Sequence, residues 1–131
     1  MKGNVAVAML TAALLVLLVA APALAATIPG TQGADNIRGT NGPDYIEGRG
    51  GNDAIGARGG NDIVRAGSGA DVVYGGQGTD VLKGQAGNDF LQGGLGQESD
   101  EIYGGSGRDT CVIYGTDQGN DTHSCENVVR R

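Results

Sequence analysis

Aspartate recurs every ninth residue through most of the chain. From Asp35 it returns at Asp44, Asp53, Asp62, Asp71, Asp80 and Asp89, then after one interval of eleven at Asp100, and again at Asp109. A Gly stands two residues before each of the first seven, at Gly33, Gly42, Gly51, Gly60, Gly69, Gly78 and Gly87, and Gly107 keeps that place before Asp109. Before Asp100 the Gly is displaced to Gly96 by extra residues near Glu98-Ser99. A carboxylate repeated at fixed spacing among glycines suits one chemistry above others, the holding of a hard cation by oxygen ligands. The bland alternative is that each Asp caps its own turn through side-chain hydrogen bonds. That accounts for one Asp per turn but not for an unbroken column of like charge.

The elements that must carry these residues follow from the rest of the repeat. Two residues after each Asp comes an aliphatic: Ile37, Ile46, Ile55, Val64, Val73, Leu82, Leu91 and Ile102, with Cys111 in the ninth such place. Gly-rich stretches such as Gly75 to Asp80 read as turns, since Gly enters positive φ freely. The three residues after each Asp read as extended, the middle one facing opposite to its neighbours. One turn plus one short strand makes half a coil, and 18 residues complete a right-handed coil that stacks on the next. The expected fold is all-β, a parallel β-roll with two short sheets. Ile37, Ile55, Val73, Leu91 and Cys111 should line one inner face, and Ile46, Val64, Leu82 and Ile102 the other. Outward, Tyr45, Ile63 and Val81 should form one ladder, and Ala54, Val72 and Phe90 a second with Tyr74 nearby.

The run resembles the repeats-in-toxin (RTX) nonapeptide G-G-x-G-x-D-x-U-x, a calcium-binding parallel β-helix repeat. Gly75-Gly76-Gln77-Gly78-Thr79-Asp80-Val81-Leu82-Lys83 matches every position, and the resemblance covers about residues 30–112. Ala57 and Ala66 replace the first Gly in two units, and the second Gly is missing from most early ones. Those departures weaken individual sites and leave the fold reading intact. The resemblance implies a module that is unfolded where Ca²⁺ is scarce and folds outside the cell.

Physical chemistry points the same way. Stacking aligns the Asp residues in columns with neighbours about 4.8 Å apart. Carboxylates at ~5 Å repel by roughly 0.8 kcal/mol even in water. Ca²⁺ takes six to eight oxygens in flexible geometry, whereas Mg²⁺ demands a tight octahedron and keeps its waters. The regular pairs Asp35/Asp53, Asp44/Asp62, Asp53/Asp71, Asp62/Asp80 and Asp71/Asp89 give five expected sites. Asp80/Asp100 and Asp89/Asp109 span twenty residues and would bring the total to seven.

The flanks differ from the repeats. Lys2, the apolar run Val5 to Ala21, and Ala23-Leu24-Ala25 read as a secretory signal peptide over residues 1–25, cleaved before Ala26. An uncleaved membrane anchor is the alternative. Cys111 and Cys125 read as a disulfide in an exported protein; two free thiols, or half a zinc site with His123, are the alternatives. Residues 26–112 are then the roll, and 113–131 a tail that caps it through Cys111–Cys125. Gly119-Asn120-Asp121 resembles a decayed tenth repeat whose inward place falls on His123. The Asn residues before Asp53, Asp62 and Asp89 read as left-handed turn residues.

Composition excludes other classes. With 26 Gly, one Phe and no Trp, an ordinary globular core is excluded, and the glycines do not fall every third residue as in collagen. Fifteen acidic against nine basic side chains exclude a phosphate-binding surface for nucleic acid. No H-E-x-x-H, phosphate-binding Gly loop or EF-hand loop occurs, and His123-Ser124 lacks a third group to make a catalytic set. The expectation is a secreted, extracellular, monomeric calcium-binding protein without enzymatic activity or membrane contact after leader cleavage. An adhesion module using the outer ladders, or a calcium-dependent accessory module of a secreted enzyme, are the competing readings.

Overall fold

The computed structural model describes residues 25–95, 98–115 and 121–131. The expected leader, except Ala25, lies outside the described residues, as do Gly96 and the Gly119-Asn120 portion of the decayed repeat. Among the described residues there are twelve strands and no helix. In chain order they are β1 (Ala26–Pro29), β2 (Asn36–Arg38), β3 (Asp44–Gly50) and β4 (Ala54–Gly59). Next come β5 (Ile63–Ser68), β6 (Val72–Gln77), β7 (Val81–Ala86) and β8 (Phe90–Gly94). The last four are β9 (Glu101–Ser106), β10 (Thr110–Ile113), β11 (Asp121–His123) and β12 (Asn127–Arg130).

Odd strands form one parallel sheet in the order β1-β3-β5-β7-β9-β11, and even strands form the other. Each strand therefore pairs with the strand two places on, and each pair of strands completes one coil of a β-solenoid. The registers follow the period: Val64 lies beside Leu82, and Leu82 beside Ile102. Across the other sheet Ile55 lies beside Val73, and Val73 beside Leu91.

The inward aliphatics meet between the two sheets. Ile46, Val64, Val73, Leu82, Leu91, Ile102 and Cys111 are fully buried, with Ala57 and Ala66 filling in beside them. Period-2 alternation fixes this, because a slip of one residue would turn every aliphatic outward. Ile28 packs on this core from the N-terminal strand and Cys125 from the C-terminal segment. Cys111 and Cys125 are joined in a disulfide, with Cα atoms 6.0 Å apart. The outer ladders stand where alternation puts them: Tyr45 beside Ile63 beside Val81, and Ala54 beside Val72 beside Phe90. Tyr74 leans on Phe90 with ring centres 6.2 Å apart.

Two details depart from the sequence reading. In β11 it is Thr122, not His123, that takes the register of inward Ile102. His123 pairs with outward Tyr103 and stacks flat on its ring at 4.7 Å, so a polar ring stays out of the core. Asn52, Asn61 and Asn88 are not left-handed; the Gly before each is, with φ of 96°, 107° and 134°. The Asn side chains instead accept the N–H of Ala70, Thr79 and Arg108 in the following coil, at 2.9, 3.1 and 2.9 Å.

Burial predicts how the two faces respond to truncation. Leu82→Ala opens a hole in a core with no spare apolar residues and should cost about 2–5 kcal/mol. Ile63→Ala trims an outward side chain that is 44 % exposed and should cost under about 1 kcal/mol. Chemical denaturation of both variants in saturating Ca²⁺ measures the difference, and equal losses would place the core elsewhere.

Candidate metal centre

Each coil has two turns, and every turn delivers its Asp into a strand start. The Asp residues from 44 to 109 are buried, none more than 4 % exposed. Burial is possible because the peptide and side chain of each Asp are engaged by the adjoining coil. The Asp53 N–H donates to Asp71 Oδ1 at 2.8 Å, while the Asp53 carbonyl accepts from the Val72 N–H at 2.8 Å. The same rung runs from Asp35 to Asp53, Asp44 to Asp62, Asp62 to Asp80 and Asp71 to Asp89, at 2.7 to 2.9 Å. All nine predicted Asp residues thus fall into two columns: 35, 53, 71, 89, 109 and 44, 62, 80, 100. The twenty-residue pairs close on the same contact, since Asp80 N–H reaches Asp100 Oδ1 and Asp89 N–H reaches Asp109 Oδ1, both at 2.9 Å. The longer interval leaves the stacking contact unchanged.

The second carboxylate oxygen separates the residues into classes. Oδ2 of Asp53, Asp62, Asp71, Asp80, Asp89 and Asp109 is buried and has no hydrogen-bond donor. A buried acceptor without a partner costs about 1–3 kcal/mol, more when charged. At the N-terminal end the atom is satisfied within the protein. Thr31 donates its N–H to Asp35 Oδ2 at 2.6 Å and its hydroxyl at 2.9 Å. Thr40 does likewise for Asp44, with N–H to Oδ2 at 2.6 Å and hydroxyl to Oδ1 at 3.0 Å. Asp100 Oδ2 accepts the Gly94 N–H at 2.9 Å.

Three of the orphaned oxygens look into a small cradle, while beside Asp62 and Asp71 the cradle glycine is replaced by Ala57 and Ala66. A Cβ on Gly48 would collide with both Asp53 Oδ2 and the Ala66 carbonyl of the next coil. One on Gly84 would collide with Asp89 Oδ2 and the Gly104 carbonyl, and one on Gly104 with Asp109 Oδ2 and the Ser124 carbonyl. Carboxylate and carbonyl oxygens therefore converge, with glycine hydrogens leaving the space between them open. Among the described residues no three His, Cys, Asp or Glu side chains converge, so backbone carbonyls have to complete any shell. That all-oxygen donor set fits Ca²⁺ and its flexible coordination. The cysteines are bonded to each other, which removes thiolates for zinc.

Electrostatics records the strain of the column. Burial pushes the Asp80 carboxyl up to about 7, against the pull of the Asp62 N–H; the charges of Asp100 and Asp62 push the same way. Burial likewise raises Asp62 and Asp89 to about 6, and raises Asp53, Asp71 and Asp100. One acidic residue breaks the pattern and escaped the sequence reading. Glu126 accepts the Asp109 N–H through Oε2 at 2.7 Å, and the Asn127 N–H meets the Asp109 carbonyl at 3.0 Å. It takes the column place of an Asp, and the Asp109 N–H holds its carboxyl below the usual range, helped by its own N–H and by Arg108.

A parallel two-sheet solenoid whose turns stack partnerless carboxylate oxygens against carbonyls defines a cation-binding repeat protein. Comparison with known families agrees: the RTX calcium-binding nonapeptide repeat matches in four copies, at residues 29–64, 65–97, 76–111 and 96–122. These stretches span most of the chain, which belongs to that calcium-binding family. Neither the curated proteins nor the solved structures gave a match.

The raised carboxyl values carry a pH prediction for calcium-free protein. These groups titrate near 3.8 when unperturbed and at about 6 to about 7 in the folded coil. The folded form then binds more protons than the unfolded form between those values, so its stability is greatest in acid. It is lost as pH rises through about 6 to 7. In chelator, circular dichroism should show more β-structure at about pH 4.5 than at about pH 7.5. With Ca²⁺ present the order should reverse, because protons compete with the metal; a chelated protein insensitive to pH would contradict the burial of the column.

Proposed function

We propose that this protein is a secreted, non-enzymatic calcium-binding module that folds as Ca²⁺ fills its turns. The observation that carries this reading is the set of six buried Asp Oδ2 atoms without donors, three of which, on Asp53, Asp89 and Asp109, face a carbonyl across a glycine. A cation between the two oxygens removes both the lost hydrogen bond and the repulsion along the column. In five stacked pairs within the repeats the first Asp has an orphaned Oδ2: Asp53/Asp71, Asp62/Asp80, Asp71/Asp89, Asp80/Asp100 and Asp89/Asp109. Asp35 and Asp44 are supplied with Thr hydroxyls instead, so they serve as acceptors at the column ends, not as ion ligands of their own turns. Extracellular calcium modules work at about 10⁻⁴–10⁻³ M, and the disulfide fits an oxidising destination.

Stacking makes position matter. Asp62 supplies an orphaned oxygen to its own turn and accepts the Asp44 N–H from the neighbouring coil. Asp35 is at the column end, half exposed, with its Oδ2 already bound by Thr31. Asp62→Ala should raise the Ca²⁺ midpoint for folding by about tenfold or more and lower the Hill slope, since an internal interface is lost. Asp35→Ala should move the midpoint by about twofold at most. Circular dichroism during calcium titration measures both. Equal effects would mean that the Asp residues act as independent turn caps, and absence of any calcium response would overturn the proposal itself.

A further inference from the structure

The last turn of the solenoid departs from the repeat. Between Gly104 and Asp109 the chain uses a full Gly-rich turn, but the corresponding turn runs directly from Ser124 through Cys125 to Glu126. β11 lies 20 residues beyond its partner β9, whereas Glu126 lies only 17 beyond Asp109. Three residues are therefore missing from the turn. Asn127 nevertheless pairs with Thr110 as Thr110 pairs with Phe90, so Glu126 stands in the column place of an Asp with one methylene more. The hydrogen bond from Asp109 N–H, at 2.7 Å, shows that it arrives.

The remaining parts of an ion cradle are present. Asp109 is fully buried and its Oδ2 has no partner. The Ser124 carbonyl faces that oxygen across Gly104, as Gly104 faces Asp89 across Gly84 one coil earlier. Ser124 holds a left-handed φ of 54°, so the shortened turn aims its carbonyl at the cradle. Glu126 is exposed on its outer side and has room to turn an oxygen toward an ion.

The geometry points to a sixth Ca²⁺ site, beyond the nonapeptide pattern, formed by the Asp109 carboxylate, the Glu126 carboxylate and the Ser124 carbonyl. This inference rests on the calcium reading of the preceding turns. The disulfide is what holds this site together. Cys125 lies between the two new ligands, and Cys111 lies two residues after Asp109. With the bridge closed, both halves of the site are tethered to one point; with it open, the short turn is free to leave the column.

The test is the number of calcium ions bound by purified, disulfide-bonded protein, counted by native mass spectrometry and calorimetry. Glu126→Gln keeps an acceptor for the Asp109 N–H and removes the charge. It should bind one ion fewer than the unmodified chain with the β signal in saturating calcium unchanged. Reduction of the unmodified chain should release the same single ion, by weakening its site tenfold or more. An unchanged count in Glu126→Gln overturns the site, leaving Glu126 as a hydrogen-bond cap, and an unchanged count after reduction overturns the tethering. Should the variant not fold, a calcium-soaked crystal of the unmodified chain decides. Density about 2.3–2.6 Å from Asp109 Oδ2 and a Glu126 oxygen supports the site, and its absence there with the other turns filled overturns it. Absence of calcium from every turn would overturn the broader reading as well.

Discussion

One hydrogen bond, repeated down two columns, sets the terms for the rest of the molecule. Each Asp N–H donates to the Asp carboxylate one coil further on. That bond fixes the stacking distance and register, so the inward aliphatics follow into one core. It also uses only one oxygen of each carboxylate. On Asp53, Asp62, Asp71, Asp80, Asp89 and Asp109 the other oxygen is left inside the protein without a donor. The same contact that builds the solenoid thus creates a repeated deficit of positive charge.

That deficit gives a chain with so few large apolar residues a place for a cationic ligand. The core is a single file of Ile, Val and Leu between two sheets, and each coil touches only its neighbours. Protonation is one way to relieve the column, which is the meaning of the raised Asp62, Asp80 and Asp89 values. A divalent cation relieves it more fully, because it answers two coils at once and couples their folding.

The period of nine made the sheets, their inner faces, the outer ladders and the two Asp columns legible in advance. Period-2 alternation within short strands is enough to place Leu82 inward and Ile63 outward without any coordinates. What spacing could not show is where the second oxygen of each carboxylate goes. The Thr at positions 31 and 40 looked like lapses from a Gly consensus, yet their hydroxyls and N–H groups take the place of an ion at Asp35 and Asp44. Conversely, the eleven-residue interval before Asp100 looked like a defect, yet the rungs there match the regular ones. Glu126 was invisible to a search for Asp every nine residues, because it is a Glu and stands 17 residues after Asp109. The signal that finds it is Cys125, which ties the adjoining residue back to the coil of Asp109.

The two ends of a stacked fold face opposite problems, and the chain solves them with different chemistry. At the N-terminal end no Asp precedes Asp35 or Asp44 in its column, and a Thr hydroxyl gives each a donor that needs no metal. The first coil can then be satisfied before calcium arrives and offers a template with correct register for the second. At the C-terminal end the difficulty is an open core, which in a solenoid must be sealed by a capping unit. Here Cys125 packs against that core while β11 and β12 extend both sheets. A covalent bond in this position acts on the unfolded chain as well, restricting the tail before any metal binds. The repeats between are left with neither hydroxyl nor disulfide, and it is in those coils that every orphaned oxygen preceding Asp109 is found. The carboxylates suited to a cation are therefore concentrated in the middle of the stack, where each has a coil on both sides.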